Sequence, residues 1–249
     1  MSADVAVTSG LVYGAGGQRV DVYRPATAPA ASPVALLWHG RGPDERDVLA
    51  PLARAAAGLG LVCFVPDWRP DAEDGGRAHL RESAVFVQRS AAAFGGDSGR
   101  TTLAGWSLGA NAALAAALDP YALDGWRPRA VVGLAGAYSR SQPLTGRAPL
   151  DELTSVESAL PSLPVRLVHG AADPIVGVEE SRRLHTALRQ RGWPASIEEP
   201  GTDHAGVIMT AYDPASQRCR LSHAPHALRA GNRAARLLAD AAHGTAHAA

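Results

Sequence analysis

Short apolar runs alternate with helical patterns along most of this 249-residue chain. Runs such as "PVALLWHG", "LVCFVPDW" and "RTTLAGW" are each followed by a segment with helical periodicity. This alternation favours parallel pairing, because an intervening helix returns the chain to the same edge of a sheet. The opening "GLVYGAGGQRVDVY" predicts two strands joined by a glycine turn, so we expect the sheet to begin with antiparallel strands.

The pattern therefore predicts an α/β fold, with a mostly parallel central sheet of about eight strands and helices on both faces. We see no linker and no internal repeat, so we expect one domain over residues 1–249. The polar, proline-rich stretch 139–164 is too short for a large cap domain and predicts at most a small flap. Residues 244–249 are expected to form a frayed tail.

Charge excludes several classes of function. The formal net charge is zero, and no basic stripe suggests binding to nucleic acid or to an anionic membrane. All 24 basic residues are arginine, so a Schiff-base lysine, a Walker A lysine and a serine–lysine dyad are excluded. Cys63 and Cys219 have no metal-ligand spacing, and no apolar run is long enough to span a bilayer. We expect a cytoplasmic protein with no metal or organic cofactor; its oligomeric state is not predictable.

The segment "GWSLG", residues 105–109, places Ser107 between two glycines at a change from strand to helix. A serine there contributes little to packing, which favours a chemical role. The pattern G-x-S-x-G in this context is typical of a sharp turn that exposes a nucleophilic hydroxyl at a helix N-terminus. The alternative is a serine that merely caps the helix.

A serine hydroxyl needs a base, and the base needs an acid that orients it. "VHGAADPIV" supplies Asp173 after one apolar strand, and "EPGTDHAG" supplies His204 after the next. Both follow strands and can converge on Ser107, because reactive groups gather beyond the carboxyl ends of parallel strands. Glu198 and Glu199 are fallback acids, and Asp203 is expected to cap a helix or stabilise a turn.

Other histidines are weaker candidates for the base. His185 lies inside a predicted helix, whereas His223 and His226 have no acidic partner nearby in the sequence. The glycine turn "HGRG" begins at His39, which we interpret as a buried residue that shapes this turn. Backbone amides that could stabilise an oxyanion are those of Leu108, which follows the serine, and of Arg41 or, alternatively, Gly42.

Together, "LLWHGRG", "GGDSGRTTLAGWSLGANAAL", "VHGAADPIV" and "PGTDHAG" resemble, in this order, the oxyanion, nucleophile, acid and histidine loops of the α/β-hydrolase superfamily. The resemblance covers nearly the whole chain, and the motifs are similar to those of compact carboxylesterases and lipases. It implies a catalytic triad of Ser107, Asp173 and His204. The turn departs from the common "HGGG" pattern, which leaves open whether Arg41 or Gly42 is the second amide donor.

The resemblance implies hydrolysis of small-molecule carboxylic esters through an acyl-enzyme. The same triad could cleave amides, formamides or peptides, and the fold could also serve as a non-catalytic ligand-binding module. Trp106, Trp68 and Tyr138 follow strands or flank the serine and could line the substrate pocket. The side chain of Arg41 could lie at the mouth of this pocket, although a solvated arginine is the alternative.

Overall fold

Eight strands form one sheet in the computed structural model, which describes residues 4–27, 31–155 and 160–244. Their bounds are β1 Val5–Val12, β2 Arg19–Pro25, β3 Ser32–Trp38, β4 Val62–Pro66, β5 Gly96–Trp106, β6 Ala130–Leu134, β7 Val165–Val168 and β8 Ala195–Glu198. The strand order is β1-β2-β4-β3-β5-β6-β7-β8. β1 pairs antiparallel with β2, and β2 pairs antiparallel with β4, whereas every pairing from β4 to β8 is parallel. The predicted antiparallel start and parallel remainder of the sheet are confirmed.

Six α-helices cover the two faces of this sheet in the described part of the chain. They are α1 Ala50–Ala57, α2 Arg77–Ser90, α3 Leu108–Leu118, α4 Pro149–Ser155, α5 Glu179–Gln190 and α6 Pro225–His243. Side chains of α2, α3, α4 and α5 share one core cluster, and those of α1 and α6 share the other. None of these helices is long and apolar enough to cross a membrane. The predicted α/β architecture is confirmed.

The central strands alternate between the two cores. In β3, Leu36 and Trp38 point into the larger core and Ala35 and Leu37 into the smaller one. All seven β3 residues are buried, which explains why its sequence is a continuous apolar run instead of an alternating one. Because α3 follows β5 directly and is buried from Gly109 to Leu118, its small alanines allow it to pack closely on the sheet.

Residues 139–164 form no large cap domain in their described part. They contain α4, which packs against α3 and α5. Residues 156–159 lie outside the described part of the chain, so the predicted small flap is described only in part. The predicted tail lies outside the described residues after Gly244, whose left-handed conformation ends α6.

A second, two-stranded sheet follows the loop that carries His204. β9, Thr210–Asp213, pairs antiparallel with β10, Arg218–Leu221. The Arg218 guanidinium forms an ion pair with Asp47 and donates a hydrogen bond to the Asp44 carbonyl at 3.1 Å. The hairpin is thereby attached to the segment that follows the "HGRG" turn. No functional role follows from the amino-acid sequence of this hairpin.

Candidate active site

Ser107 occupies a strained turn between β5 and α3. Its φ of 55° and ψ of −120° lie in a region that residues with a Cβ rarely adopt. Its backbone N–H donates to the Leu134 carbonyl of β6 at 2.8 Å, which ties the turn to the neighbouring strand. The hydroxyl is consequently presented at the N-terminus of α3, where unpaired amides favour negative charge.

The glycines on either side of Ser107 are required by close backbone approach. A Cβ on Gly105 would lie 2.1 Å from the Gly109 carbonyl oxygen. A Cβ on Gly109 would lie 2.3 Å from the Trp38 carbonyl oxygen of β3. Both distances are far shorter than any real contact, so side chains here would push α3 away from the sheet. The spacing G-x-S-x-G is thus a packing requirement of this turn.

Asp173 has its carboxylate fully buried and surrounded by N–H donors. Oδ1 accepts hydrogen bonds from the backbone amides of Ile175 at 2.8 Å and Val176 at 2.9 Å. Oδ2 lies 2.7 Å from His204 Nδ1 and 3.2 Å from His169 Nε2. Burial alone would raise the pKa of Asp173, but the bonds from His169, His204 and Val176 outweigh it and hold the pKa well below its usual range. The carboxylate therefore stays ionised at neutral pH.

His204 contacts Trp106, the residue that precedes Ser107. The Trp106 indole N–H donates to the His204 carbonyl at 2.9 Å, and the two ring centroids are 5.1 Å apart. Asp173 accepts from Nδ1, which leaves Nε2 free to act as a base. Within the described residues, no hydrogen bond joins the Ser107 hydroxyl to His204. The structure brings Asp173 and His204 into direct contact, and Trp106 links His204 to the serine turn.

The "HGRG" turn passes directly beside Ser107. A Cβ on Gly40 would lie 3.3 Å from the Ser107 Cβ and 3.1 Å from the Trp106 ring. The two candidate donors that follow, Arg41 and Gly42, therefore belong to a segment adjacent to Ser107. The Arg41 side chain is exposed, whereas Leu108 is half-buried as the first residue of α3.

His39 stabilises the "HGRG" turn through the hydrogen bonds of its ring. Its ring is fully buried, and Nε2 accepts the backbone N–H groups of Glu45 at 3.3 Å and Trp68 at 3.1 Å. Nδ1 lies 3.1 Å from the Gly40 carbonyl and carries the ring proton. Burial lowers the pKa of His39 from 6.5 to about 3. His39 thus acts as a neutral scaffold for the turn.

This scaffold predicts a pH dependence of stability. Below pH 6.5 the unfolded chain protonates His39 and the folded chain does not, so His39 lowers the free energy of unfolding progressively between pH 6.5 and about 3. We expect His39→Gln to be less stable than the wild type at pH 7.5. Its slope between pH 6 and 4 should be flatter by about 1.4 kcal/mol per pH unit. Urea unfolding across this range measures both quantities.

The matched control is His226→Gln, because His226 is exposed in the first turn of α6. This variant should keep the wild-type slope. Equal slopes for His39→Gln and the wild type would show that His39 takes up a proton within the folded protein.

Two residues expected in the substrate pocket lie in the core instead. Trp68 and Tyr138 are fully buried within the larger core, so we do not retain them as pocket residues. The Trp68 indole N–H donates to the His39 carbonyl at 3.2 Å, so this ring supports the turn. Tyr138 fills space left by a glycine, since a Cβ on Gly133 would lie 2.1 Å from its hydroxyl oxygen. Trp106 keeps a small exposed edge, 6% of its surface.

The alternative acids are engaged in other contacts. Glu198 forms an ion pair with Arg233, and Glu199 with Arg182. Asp203 accepts the Gly206 backbone N–H at 2.7 Å, which is the turn role expected for it. Of the acids considered, only Asp173 contacts the His204 ring in the described part of the chain.

His169 is the site residue that the sequence reasoning missed. It follows β7 immediately and is fully buried against Asp173, four residues further along the chain. The signal was available, because it occupies a strand exit within the same "VHGAADPIV" segment.

No protein-family model matches the chain. A curated relative, esterase LipQ of Mycobacterium tuberculosis, is 27% identical over a match that covers 80% of this chain. The chain spans 57% of the length of that relative.

Solved structures share the fold at lower identity. A putative dienelactone hydrolase from Klebsiella pneumoniae is 20% identical with a TM-score of 0.69, over 96% of this chain and 99% of its own. Esterase B of Lactobacillus rhamnosis, solved with a tributyrin phosphonate inhibitor, is 18% identical with a TM-score of 0.71, over 97% of this chain and 87% of its own. At these identities the similarity establishes the fold.

Proposed function

From the α/β-hydrolase fold of this chain, we propose that it is a serine hydrolase that cleaves carboxylic esters, with Ser107, His204 and Asp173 as its catalytic triad. The observation that carries the proposal is the direct contact of Asp173 with His204 Nδ1 at 2.7 Å, beside the strained turn that carries Ser107. Strained backbone is retained where function requires it, and here it serves to expose a hydroxyl.

In the proposed reaction, His204 Nε2 removes the proton of the Ser107 hydroxyl as the oxygen attacks the ester carbonyl. Asp173 keeps the Nδ1 proton in place and stabilises the imidazolium that forms. His204 then protonates the leaving alcohol, and water cleaves the acyl-enzyme with His204 again as the base. The bond between serine and histidine often tightens only when substrate binds, so its absence from the free enzyme is compatible with this mechanism.

The tetrahedral intermediate carries negative charge on the former carbonyl oxygen. We propose that the backbone amides of Leu108 and Arg41 bind this oxyanion, with Gly42 as the alternative to Arg41. The close approach of Gly40 to Ser107 supports this proposal, because Arg41 and Gly42 follow Gly40 directly in the chain. The removal of one such donor typically costs about 100-fold or more in kcat.

The choice of esters over other acyl compounds draws on the relatives. LipQ is an esterase, and the phosphonate in the Lactobacillus enzyme is an analogue of the ester tributyrin. Amides need stronger protonation of the leaving group than esters, and the triad alone does not distinguish the two. Trp106 is the aromatic residue that we retain beside the substrate.

A fluorophosphonate label followed by peptide mapping tests the nucleophile, and a p-nitrophenyl ester series beside matched anilides tests the substrate class. We expect labelling at Ser107 and ester turnover well above anilide turnover. Labelling at another residue, or none at all, would overturn the triad. Faster cleavage of anilides would reassign the enzyme to amide hydrolysis, and labelling at Ser107 without turnover of any acyl substrate would favour a binding module.

A further inference from the structure

A second histidine contacts the Asp173 carboxylate. His169 Nε2 lies 3.2 Å from Asp173 Oδ2, on which His204 Nδ1 also converges at 2.7 Å. The side chains of His169 and Asp173 are both completely buried. Oδ2 is therefore positioned between two imidazoles, of which only His204 reaches the solvent-facing side of the site, with 11% of its side chain exposed.

The partners of the His169 ring define its orientation. Nε2 also lies 2.8 Å from the Val176 carbonyl, so it faces two acceptors and carries the ring proton. Nδ1 lies 2.7 Å from the Ser181 hydroxyl of α5, which anchors the opposite edge of the ring. Val176 in turn donates its own N–H to Asp173 Oδ1. The imidazole thus closes the 173–176 loop around the carboxylate.

We propose that His169 is a positioning residue that holds the Asp173 carboxylate in register with His204 and limits its basicity through the Nε2–H group. This inference rests on the proposed triad. A carboxylate with fewer N–H partners is more basic and stabilises a protonated neighbouring imidazole more strongly. The basicity of Asp173 therefore sets the pH at which His204 becomes available as a base.

Other charged groups near His169 are balanced by partners of their own. Glu199, which follows β8 directly, interacts electrostatically with His169. Both of its carboxylate oxygens accept hydrogen bonds from the Arg182 guanidinium of α5. Glu180, also on α5, accepts hydrogen bonds from Ser139. Among the described residues, Asp173 is thus the carboxylate in direct contact with the ring.

The test compares His169→Leu with His169→Gln. The Gln side-chain amide nitrogen can reach the place of Nε2 and donate, whereas Leu fills the space without a donor. The readout is the rate of fluorophosphonate labelling at Ser107 between pH 5 and 9, which needs no knowledge of the natural substrate. For His169→Leu we expect a 10- to 100-fold lower plateau rate, because the acid is mispositioned. We also expect the acid-side midpoint of the profile to move up by about 0.5 pH unit.

His169→Gln should restore the wild-type midpoint and most of the rate. His169→Asn, whose amide reaches only the place of Nδ1, should behave like the leucine variant; this pair decides the question if His169→Leu does not fold. Identical midpoints in the donor and non-donor variants would overturn the positioning role and leave His169 a packing residue. A wild-type protein that is not labelled at Ser107 would instead refute the triad itself, so the two failures are distinguishable.

Discussion

Alanine in place of Ser107 is expected to reduce kcat/KM for a p-nitrophenyl ester by about 10⁶-fold, because no covalent intermediate can form without the hydroxyl. The residual rate should still exceed that of the uncatalysed reaction, since the backbone amides and His204 remain. Steady-state kinetics with a sensitive fluorogenic ester measures the loss. Ser98→Ala, at the opposite end of β5, is the matched control and should retain wild-type activity. A Ser107→Ala variant with more than about 1% of wild-type activity would refute the assignment of the nucleophile.

Substitution of Ser107 by glycine is expected to raise the stability of the protein, although it also removes the hydroxyl. Ser107→Ala keeps a Cβ at φ 55°, so its free energy of unfolding should stay close to that of the wild type. Ser107→Gly releases the backbone strain, whereas the greater freedom of glycine in the unfolded chain offsets part of this gain. The variant should therefore be more stable than the wild type by about 1 kcal/mol. Calorimetry should show this as a rise in Tm of about 2–4 °C. An equal Tm for the two variants would mean that the turn stores no strain.

Asn in place of Asp173 is expected to reduce kcat/KM by about 10⁴-fold. In the described part of the chain, the hydrogen-bond partners of the carboxylate are N–H groups: two backbone amides at Oδ1 and two imidazoles at Oδ2. An asparagine NH₂ would face N–H donors in either of its orientations. His204 would then adopt the wrong tautomer, or the loop would lose its backbone bonds, with a cost of about 1–3 kcal/mol in stability.

Asp203→Asn is the matched control for this prediction. Asp203 adjoins His204 in sequence, but it accepts a hydrogen bond from Gly206 and has no contact with the His204 ring among the described residues. The kinetic effect of this substitution should stay within about threefold of the wild type, since surface turn residues contribute little to chemistry. If Asp203→Asn costs more activity than Asp173→Asn, the acid has been assigned to the wrong loop.

Much of the fold could be predicted because parallel strands are buried on both faces. This burial makes β3 and β4 continuous apolar runs. The exits of β5 and of the later strands then direct attention to Ser107 and, further along the chain, to Asp173 and His204. The resemblance to the α/β-hydrolase superfamily is confirmed at the level of the fold. The contact between Asp173 and His204 agrees with the order of the motifs, because loops at neighbouring strand ends converge.

The features that could not be predicted depend on the direction of side chains, which the position of a residue after a strand does not determine. Trp68 and Tyr138 also follow strands, but their rings turn into the core, where a missing Cβ at Gly133 leaves room for the tyrosine hydroxyl. His169 has the same position as a reactive residue and is turned inward onto Asp173. The β9–β10 hairpin escaped prediction because each of its strands has only four residues, too few for a clear alternation.

The attachment of Arg218 to Asp44 and Asp47 has a consequence for engineering and for natural variation. It couples the segment after His204 to the segment after the "HGRG" turn, although Asp47 and Arg218 are 171 positions apart in the chain. If either segment were replaced by that of a homologue, Arg218 or its partners Asp44 and Asp47 would lose this contact. We therefore expect the two segments to be exchangeable only as a matched pair, and substitutions in one to be accompanied by compensating substitutions in the other.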